Sequence, residues 1–261
     1  MTALRAEGIT AGYGRVPIIR DISVTVPDGT LTAIVGPNGA GKSTFAKALA
    51  GVLRPSGGQV FVGDDEISGL PGHLIVRRGL AYVPQNQNVF SSLTVTENLE
   101  MGAFTRRSGV RQRIGEVLEI FPDLRTAAAK KAGLLSGGQQ NLLAMARALM
   151  LDPRIVILDE PTAGLSPMYT DVVWAQITRI TQAGTAVLVV EQNVDRAVAS
   201  ARHVYVFVAG ANYVHGPADE VAGLDLAAIF LGHGGPAQAR AQHGAPTQHG
   251  APTQNGAGED S

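Results

Sequence analysis

The chain has 261 residues, a formal net charge of −1 and no cysteine. Its 21 basic and 22 acidic residues leave no basic excess, which argues against a nucleic-acid-binding protein. The lack of cysteine excludes disulfides, thiol catalysis and zinc–thiolate sites. The strongest apolar runs are only strand-length, and the N-terminus has no apolar signal-peptide core. These features predict a cytoplasmic protein that would serve a membrane only through a partner.

The N-terminal part of the chain is predicted to be mainly β-structure. Apolar and polar residues alternate at residues 21–26, which is the period-2 pattern of a half-buried strand. A second apolar run enters a glycine-rich loop, and a helical stretch follows that Gly51 is expected to end. The predicted strands are residues 21–26, 31–35 and 59–62, the last after a turn-rich stretch at 55–58, and the predicted helix is residues 43–50.

The middle of the chain, about residues 91–150, is predicted to be mostly helical. Apolar residues recur at helical spacing from Ile114 to Phe121 and again from Leu142 to Leu149. The last third alternates strand and helix patterns, which predicts a parallel sheet with helices on its faces. The predicted strands there are residues 155–158, 186–190 and 204–208, and the predicted helices are residues 169–181 and 195–201.

The end of the chain, residues 234–261, consists mostly of Gly, Ala, Pro, Gln and His, and the hexapeptide HGAPTQ occurs in it twice. So short a polar repeat cannot bury a core, and the segment is predicted to be a disordered tail. Its histidines, His243 and His249, leave metal binding open as an alternative to a solvated tail.

Residues 36–44, GPNGAGKST, match the pattern G-x-x-x-x-G-K-[ST]. Glycines let backbone N–H groups point at a phosphate where a Cβ would obstruct the approach, and the following helix adds its N-terminal N–H groups. In this pattern Lys42 supplies a positive charge to the β- and γ-phosphates, and Ser43 supplies a hydroxyl to Mg²⁺. Because the motif follows an apolar strand and opens a helix, we predict a nucleotide site rather than a plain glycine-rich turn.

Residues 155–160, IVILDE, form an apolar strand pattern that ends in two carboxylates. Ligands bind at the carboxyl edge of a parallel sheet, where this position would lie. Asp159 is expected to orient Mg²⁺ or its water, and Glu160 to polarise the attacking water as a general base. Apolar strands with an acidic end are common, and it is the pairing with the loop at 36–44 that makes the segment strong evidence for a nucleotide site.

Residues 135–139, LSGGQ, lead directly into the helical pattern that contains Leu142. A serine and two glycines at a helix start provide backbone donors, a hydroxyl and the favourable end of the helix dipole, so they could bind a second anion. Taken alone, they favour an ordinary capped helix after a loop.

With GPNGAGKST, LSGGQ and IVILDE in that order, the chain resembles the ATP-binding-cassette ATPases over residues 1–233. The resemblance implies an α/β fold: a P-loop NTPase core with a parallel sheet and flanking helices, an N-terminal antiparallel β subdomain, and a helical subdomain inserted at about residues 91–150. It further implies that two such domains dimerise head to tail, with ATP between the 36–44 loop of one and the 136–139 motif of the other.

Further positions follow from the same resemblance. Tyr13 matches the aromatic residue that stacks on adenine, and Gln85 matches the glutamine that touches Mg²⁺ and couples the site to membrane subunits. An ordinary loop tyrosine and a solvent-facing amide are the alternatives. Ser166 stands where many members have an aspartate, which weakens the cross-dimer role of its loop. The predicted ATP contacts are Tyr13, Gly36, Pro37, Asn38, Gly39, Ala40, Gly41, Lys42, Ser43, Thr44, Ser136, Gly137, Gly138 and Gln139; the metal contacts are Ser43, Gln85 and Asp159; the catalytic residues are Glu160 and Gln192.

Gln192 stands where most of the family has a histidine that contacts the γ-phosphate. Glutamine can still donate a hydrogen bond, but it does not titrate near neutrality. Gln192 therefore indicates either a weakened site or a subfamily, since ATPases of branched-chain amino-acid importers often resemble the VEQN sequence at 190–193. They also resemble this chain at residues 88–90 and 229–232. Importers of urea or short amides are similar and remain an alternative substrate class.

The resemblance implies several partners: a second ATPase subunit, more consistent with a heterodimer than a homodimer, transmembrane permease subunits, and indirectly a solute-binding protein. It places the chain at the inner face of the cell membrane. Two other functions remain open. One is a relative that acts on ribosomes or DNA, although those carry two cassettes or a long coiled coil. The other is a degenerate regulatory subunit that binds nucleotide without hydrolysing it.

Overall fold

The computed structural model describes residues 1–14, 16–86 and 89–230. The strands in this part of the chain are β1 Thr2–Tyr13, β2 Val16–Pro27, β3 Leu31–Val35, β4 Gly57–Val62, β5 Asp65–Glu66, β6 Leu80–Val83, β7 Ile155–Asp159, β8 Ala186–Glu191, β9 His203–Val208 and β10 Ala211–Pro217. The helices are α1 Lys42–Leu49, α2 Gly72–Arg77, α3 Val95–Gly102, α4 Val110–Ile120, α5 Pro122–Thr126, α6 Gly137–Leu149, α7 Pro167–Gln182, α8 Val194–Ser200, α9 Ala218–Ala222 and α10 Leu226–Phe230, with a 3₁₀ helix at Ala132–Leu134.

The larger sheet has the strand order β10-β9-β3-β8-β7-β6. Strands β9, β3, β8, β7 and β6 run parallel, and β10 pairs antiparallel with β9 at the edge. Every residue of β3, β7 and β8 is buried. Strands of a parallel sheet that are covered on both faces read as continuous apolar runs, which is why their sequences were recognisable. The predicted parallel sheet is confirmed.

The smaller sheet is antiparallel and has the order β2-β1-β4-β5. In β2 the predicted alternation is confirmed, since Ile22, Val24 and Val26 are all at most 1% exposed and their neighbours point outward. The prediction of a turn at 55–58 is wrong at its end, because β4 already begins at Gly57 and pairs with Thr10 of β1. A Cβ on Gly58 would lie 2.5 Å from the carbonyl oxygen of Glu7, so glycine is needed for this close strand approach.

Helix α1 packs against both sheets and joins them in one core. Phe45 is fully buried and meets Phe207 of β9 edge to face, with 5.4 Å between ring centroids. Ala46 and Leu49 are buried on the same helix. Truncating an aromatic residue in such a position costs about 3–5 kcal/mol, so the helix start that follows the glycine-rich loop is held firmly in place.

Helices α3 to α6 lie between β6 and β7 in the chain, as the apolar spacing predicted. Thr94 caps α3 through a capping box, in which its side chain accepts from the N–H of Glu97 and the Glu97 carboxylate accepts from the N–H of Thr94. Ile114 and Val117 of α4 are buried, and Phe121 after it is only 1% exposed. Helix α6 contacts α3 and β6, and thus connects the helical segment with the larger sheet.

The chain divides into two units after Leu224. In the second unit the described residues form α10, where the Ala228 N–H donates to Oδ1 of Asp225 at 2.9 Å. The predicted tail, with His243 and His249, lies outside the described residues, as do Asn88 and residues 231–232 of the importer-like segments. None of the helices in the described ranges is long and apolar enough to cross a membrane.

Candidate functional site

The site is built where the parallel strands end. Asp159 of β7 pairs with Val190 of β8, and Val35 of β3 pairs with Glu191 of β8. The loops that follow Val35, Asp159 and Glu191 therefore leave the sheet side by side. This register brings three segments that are far apart in sequence to one edge, which is the usual ligand-binding edge of such sheets.

The glycine-rich loop, residues 36–41, connects β3 to α1 and packs closely against Phe207 of β9 and Ile19 of β2. A Cβ on Gly36 would lie 2.2 Å from the carbonyl oxygen of Phe207, and one on Gly41 would lie 2.3 Å from Cγ2 of Ile19. Gly41 is also the N-cap of α1, with a φ of 90°. Glycine is therefore required at both positions, and the first N–H groups of α1 are left without a side-chain cap.

An open pocket of about 390 Å³ lies over this loop and the start of α1. Its volume falls within the range of small-molecule sites. Its lining residues are Ile18, Asn38, Gly39, Gly41, Lys42, Ser43, Thr44 and Glu160. The loop, the helix start and the predicted general base therefore share one pocket.

Lys42 is the buried cation of this pocket, with only 4% of its surface exposed. Its Nζ donates to the carbonyl oxygens of Gly36 at 2.8 Å and Pro37 at 3.0 Å. Burial lowers the pKa of the Lys42 ammonium, and the charges of Glu160, Asp159 and Glu191 oppose that shift. A cation held by its own loop next to free helix N–H groups suits a polyphosphate anion.

Asp159 forms the next layer of the site. Its Oδ1 accepts from the Ser43 hydroxyl at 2.8 Å, and its Oδ2 accepts from the Tyr82 hydroxyl at 3.0 Å. Burial raises the pKa of the Asp159 carboxyl, while these two hydrogen bonds lower it. The adjacent hydroxyl and carboxylate oxygens of Ser43 and Asp159 are hard ligands of the kind that Mg²⁺ prefers.

Glu160 is held in an unusual backbone conformation immediately after β7. Its φ is 49°, in the left-handed region that non-glycine residues seldom occupy, and its N–H donates to the carbonyl of Val190 at 2.9 Å. Its carboxylate accepts from Nε2 of Gln85 at 2.8 Å and from Nε2 of Gln192 at 2.7 Å. Each carboxylate oxygen of Glu160, the predicted general base at the rim of the pocket, thus accepts a hydrogen bond from one glutamine side chain.

Two residues of this network were not predicted. Tyr82 supports Asp159 from β6, and burial together with the neighbouring Asp159 charge raises the pKa of its hydroxyl. Glu191 accepts a hydrogen bond from the Thr162 hydroxyl at 2.7 Å. Neither had a sequence signal, because each depends on which strands are neighbours in the sheet.

The Ser136–Gln139 motif lies elsewhere, at the start of α6. The Ser136 side chain accepts from the Gln139 N–H at 3.3 Å, and the Gln139 side chain accepts from the Ser136 N–H at 3.1 Å. Gly138 packs against the ring of Tyr169, where a Cβ would lie 2.3 Å from the nearest ring atom, whereas a Cβ on Gly137 would meet open space. The motif is a capped helix start and lines no part of the pocket over the glycine-rich loop.

Two other predicted positions stand apart from the network. Tyr13, at the end of β1, is 54% exposed and is not among the residues that line the pocket. Ser166 is the N-cap residue of α7, and its side chain makes no capping hydrogen bond. The structure thus brings together Lys42, Ser43, Gln85, Asp159, Glu160 and Gln192, and leaves Tyr13 and residues 136–139 outside that group.

Comparison with known proteins shows the family to which the chain belongs. The sequence profile of the ABC transporter family matches residues 19–163. Over 220 residues the chain is 41% identical to the probable branched-chain amino acid transport ATP-binding protein LivF of Archaeoglobus fulgidus, covering 84% of this chain and 93% of the relative. Over 213 residues it is 38% identical to the high-affinity branched-chain amino acid transport ATP-binding protein BraG of Pseudomonas aeruginosa, covering 81% and 91%.

A third relative has a different transport function in its name. The lipopolysaccharide export system ATP-binding protein LptB of Escherichia coli K12 is 32% identical over 228 residues, covering 85% of this chain and 93% of the relative. Among solved structures, the fold is similar to a nucleotide-free ATP-binding cassette from an ABC transporter, with a TM-score of 0.76 and 27% identity over 89% of this chain and 96% of that one. The predicted α/β fold and ATPase activity are confirmed. The chain belongs to the ABC transporter family and is an ATP-binding, ATP-hydrolysing subunit of that family.

Proposed function

We propose that this chain is the motor subunit of an importer for branched-chain amino acids, in which ATP hydrolysis drives transport. The observation that best supports the motor function is that the side chains of Gln85 and Gln192 both donate hydrogen bonds to the Glu160 carboxylate at the rim of the pocket. A carboxylate fixed at both oxygens, beside a cradle for phosphates, is oriented to polarise one water molecule.

The residues divide the work of the site among them. Residues 36–44 bind the phosphates, with the Lys42 ammonium turning from its loop carbonyls towards the anion. Ser43, Asp159 and Gln85 would hold Mg²⁺, and the Tyr82 hydroxyl keeps the Asp159 carboxylate oriented. When bound, the ion neutralises charge that develops on the phosphate oxygens. Glu160 accepts the proton of the attacking water, and Gln192 donates a hydrogen bond that keeps Glu160 in position.

The contacts predicted at the start of α6 would be made with the nucleotide of a second subunit. Ser136 and Gly137 are exposed at the start of α6, and together with Gly138 and Gln139 they would close the pocket of a partner ATPase, head to tail. The Gly137 and Gly138 N–H groups are free of the capping box and suit the γ-phosphate of the partner's nucleotide. Tyr13 stacks on the adenine of the chain's own nucleotide.

The assembly proposed around this motor has a membrane part. A heterodimer with a second ATPase would bind permease subunits at the inner face of the membrane, and a solute-binding protein would deliver the substrate. We place the ATPase domain at residues 1–233, with a helical subdomain at about 91–150.

The substrate class is supported by the relatives at 41% and 38% identity, both of which carry branched-chain amino acid transport in their names. The relative at 32% identity supports a second candidate, an exporter of a lipid-linked saccharide. Uptake of urea or short amides is a third. A purely regulatory subunit is disfavoured because Gln192, although not a histidine, contacts Glu160 directly.

Uptake of radiolabelled leucine tests the proposal in cells of the source organism that lack this chain. We expect uptake to fall on deletion and to return with the wild-type chain but not with Glu160→Gln. Normal leucine uptake in the deletion strain would contradict the substrate assignment. Loss of urea uptake, or an envelope defect, would then identify one of the alternatives.

A further inference from the structure

A buried carboxylate lies directly behind the site and has no part in the proposed reaction. Glu191, the last residue of β8, is only 2% exposed. Its Oε1 accepts from the Thr162 hydroxyl at 2.7 Å and from the Thr162 N–H at 3.2 Å. Its Oε2 accepts from the backbone N–H of Gln192 at 3.1 Å. Both oxygens of one carboxylate are thus used to join two loops.

Burying a carboxylate such as that of Glu191 costs free energy, because the charged form loses its hydration. Burial raises the pKa of the Glu191 carboxyl, and the hydrogen bonds from Thr162 and from the backbone N–H groups of Gln192 and Asn193 only oppose that shift. An apolar residue of similar size at the end of a buried strand would avoid this penalty. A carboxylate kept in this position is best explained by what its two oxygens hold.

What they hold are the two loops of the catalytic pair. Thr162 lies two residues after Glu160, and Gln192 directly follows Glu191 in the chain. The side chains of Glu160 and Gln192 meet at 2.7 Å. Besides the backbone hydrogen bond from the Glu160 N–H to the Val190 carbonyl, side chains therefore connect the two segments twice, once by that exposed contact and once by the Glu191 carboxylate.

The Glu160–Gln192 contact and the Glu191 contacts differ in their exposure to solvent. Gln192 and Gln85 are exposed side chains, whereas Thr162 and Glu191 are buried, at 9% and 2% exposure. An exposed amide finds a defined position only if its backbone is fixed. The N–H of Gln192 is fixed by Oε2 of Glu191, and the loop after Glu160 is fixed by Oε1.

We propose that Glu191 is a positioning residue for ATP hydrolysis, whose carboxylate holds the Glu160 loop and the Gln192 loop in register so that the Gln192 amide meets the Glu160 carboxylate. This inference rests on the proposed roles of Glu160 and Gln192. It assigns Glu191 no contact with nucleotide, and its effect passes through Gln192.

Glu191→Gln tests the proposal with little change of shape. The carboxamide can still accept from Thr162, but its amino group cannot accept from the Gln192 N–H. We expect kcat for ATP to fall about tenfold, the effect of losing one hydrogen bond to a charged group, while the Kd for a fluorescent ATP analogue stays within about twofold. Thr162→Val should lower kcat in the same way. Thr32→Val, which removes another buried threonine hydroxyl, on β3, is the matched control and should leave kcat unchanged.

A double variant separates positioning from a general loss of structure. If Glu191 acts through Gln192, Glu191→Gln added to Gln192→Ala lowers kcat no further than Gln192→Ala does alone. A full additional loss in the double variant would overturn the positioning role and leave the role of Gln192 intact. Wild-type kcat in Gln192→Ala would overturn both. If Glu191→Gln fails to fold, Thr162→Val combined with Gln192→Ala gives the same comparison.

Discussion

Two helix starts in this chain carry glycines and a serine, yet their surroundings differ. The start of α1 is surrounded by Asp159, Glu160, Gln85 and Gln192, which come from three other segments and bond to one another or to Ser43. At the start of α6, Ser136 and Gln139 bond reciprocally to each other. Similar local sequences thus lie within a network of side chains from several segments in one place and at a self-contained capped helix start in the other.

Under the proposed function, the difference separates the groups that this chain supplies to its own pocket from those that it would offer to a second subunit. Hydrolysis needs a general base fixed against the phosphates, and that set converges at the end of the parallel strands. The α6 start has donors but no base beside it among the described contacts. The comparison therefore predicts that variants near α1 affect the chain's own nucleotide, whereas variants at α6 affect a neighbouring subunit's.

The largest effect is expected from Glu160→Gln, which removes the proposed general base but keeps the shape of the side chain. ATP turnover should fall about 10²- to 10⁴-fold, the usual contribution of a positioned base. Nucleotide affinity should persist, since the glycine-rich loop is untouched. Steady-state phosphate release and a fluorescent nucleotide titration measure the two quantities. Glu119→Gln, at an exposed position of α4, is the control and should behave as wild type.

A smaller effect, on Mg-ATP affinity, should distinguish Ser43 at the start of α1 from Ser136 at the start of α6. Ser43→Ala removes the hydroxyl that bonds to Asp159, and Mg-ATP affinity of the isolated chain should fall about tenfold because a hydrogen bond to a charged group is lost. Ser136→Ala should leave that affinity unchanged. Equilibrium binding of Mg-ATP to the monomeric variants measures both affinities. Equal losses in both variants would mean that the α6 start contributes to the chain's own site.

The next comparison sets the two capping boxes against each other. Thr94→Ala and Ser136→Ala each delete the capping side chain of a helix, so each should lower the free energy of unfolding by about 1 kcal/mol. Denaturant titration measures this effect. Only Ser136→Ala should also reduce ATP turnover in the assembled dimer. A similar loss of turnover in Thr94→Ala would mean that the α6 motif acts only as an ordinary helix cap.

The smallest effect is a dependence of stability on pH. Burial raises the pKa of Glu191 above its ordinary value of 4.5, so stability from this group is fully present below pH 4.5 and is lost as the pH rises through the folded-state pKa. Glu191→Gln escapes that loss, and its unfolding free energy should gain on wild type as the pH rises.

Glu116 supplies a control of opposite sign. Hydrogen bonds from Arg113 and Gln112 lower the pKa of this exposed carboxyl, so its contribution is present above the unfolded pKa and lost as the pH falls. Glu116→Gln should therefore lose stability relative to wild type as the pH rises. Denaturant titrations at about pH 3, pH 5 and pH 8 cover both windows, because the contribution of Glu116 changes below its ordinary pKa of 4.5 and that of Glu191 changes above it. Parallel behaviour of the two variants would contradict the assignment to Glu191.

Much of the fold was predictable because its signals are local. The apolar runs that became β3, β7 and β8, the alternation in β2 and the helical spacing in α4 all reflect burial on one or both faces of a single element. Strand β1 was not assigned in detail because Gly8, with a φ of 61°, and several register shifts interrupt its alternation. The start of β4 was misplaced because glycines that allow close strand contact look like turn residues.

The sequence by itself determined the phosphate cradle, the acidic end of β7 and the capped start of α6, because each is a run of neighbouring residues whose spacing carries its chemistry. Only the tertiary structure decided that Glu160 is held between Gln85 and Gln192, that Tyr82 supports Asp159, and that Glu191 joins the loops behind them. The physical reason is that these contacts depend on the order and register of parallel strands. Strand order is set by how the whole sheet packs, and no short segment of sequence records it.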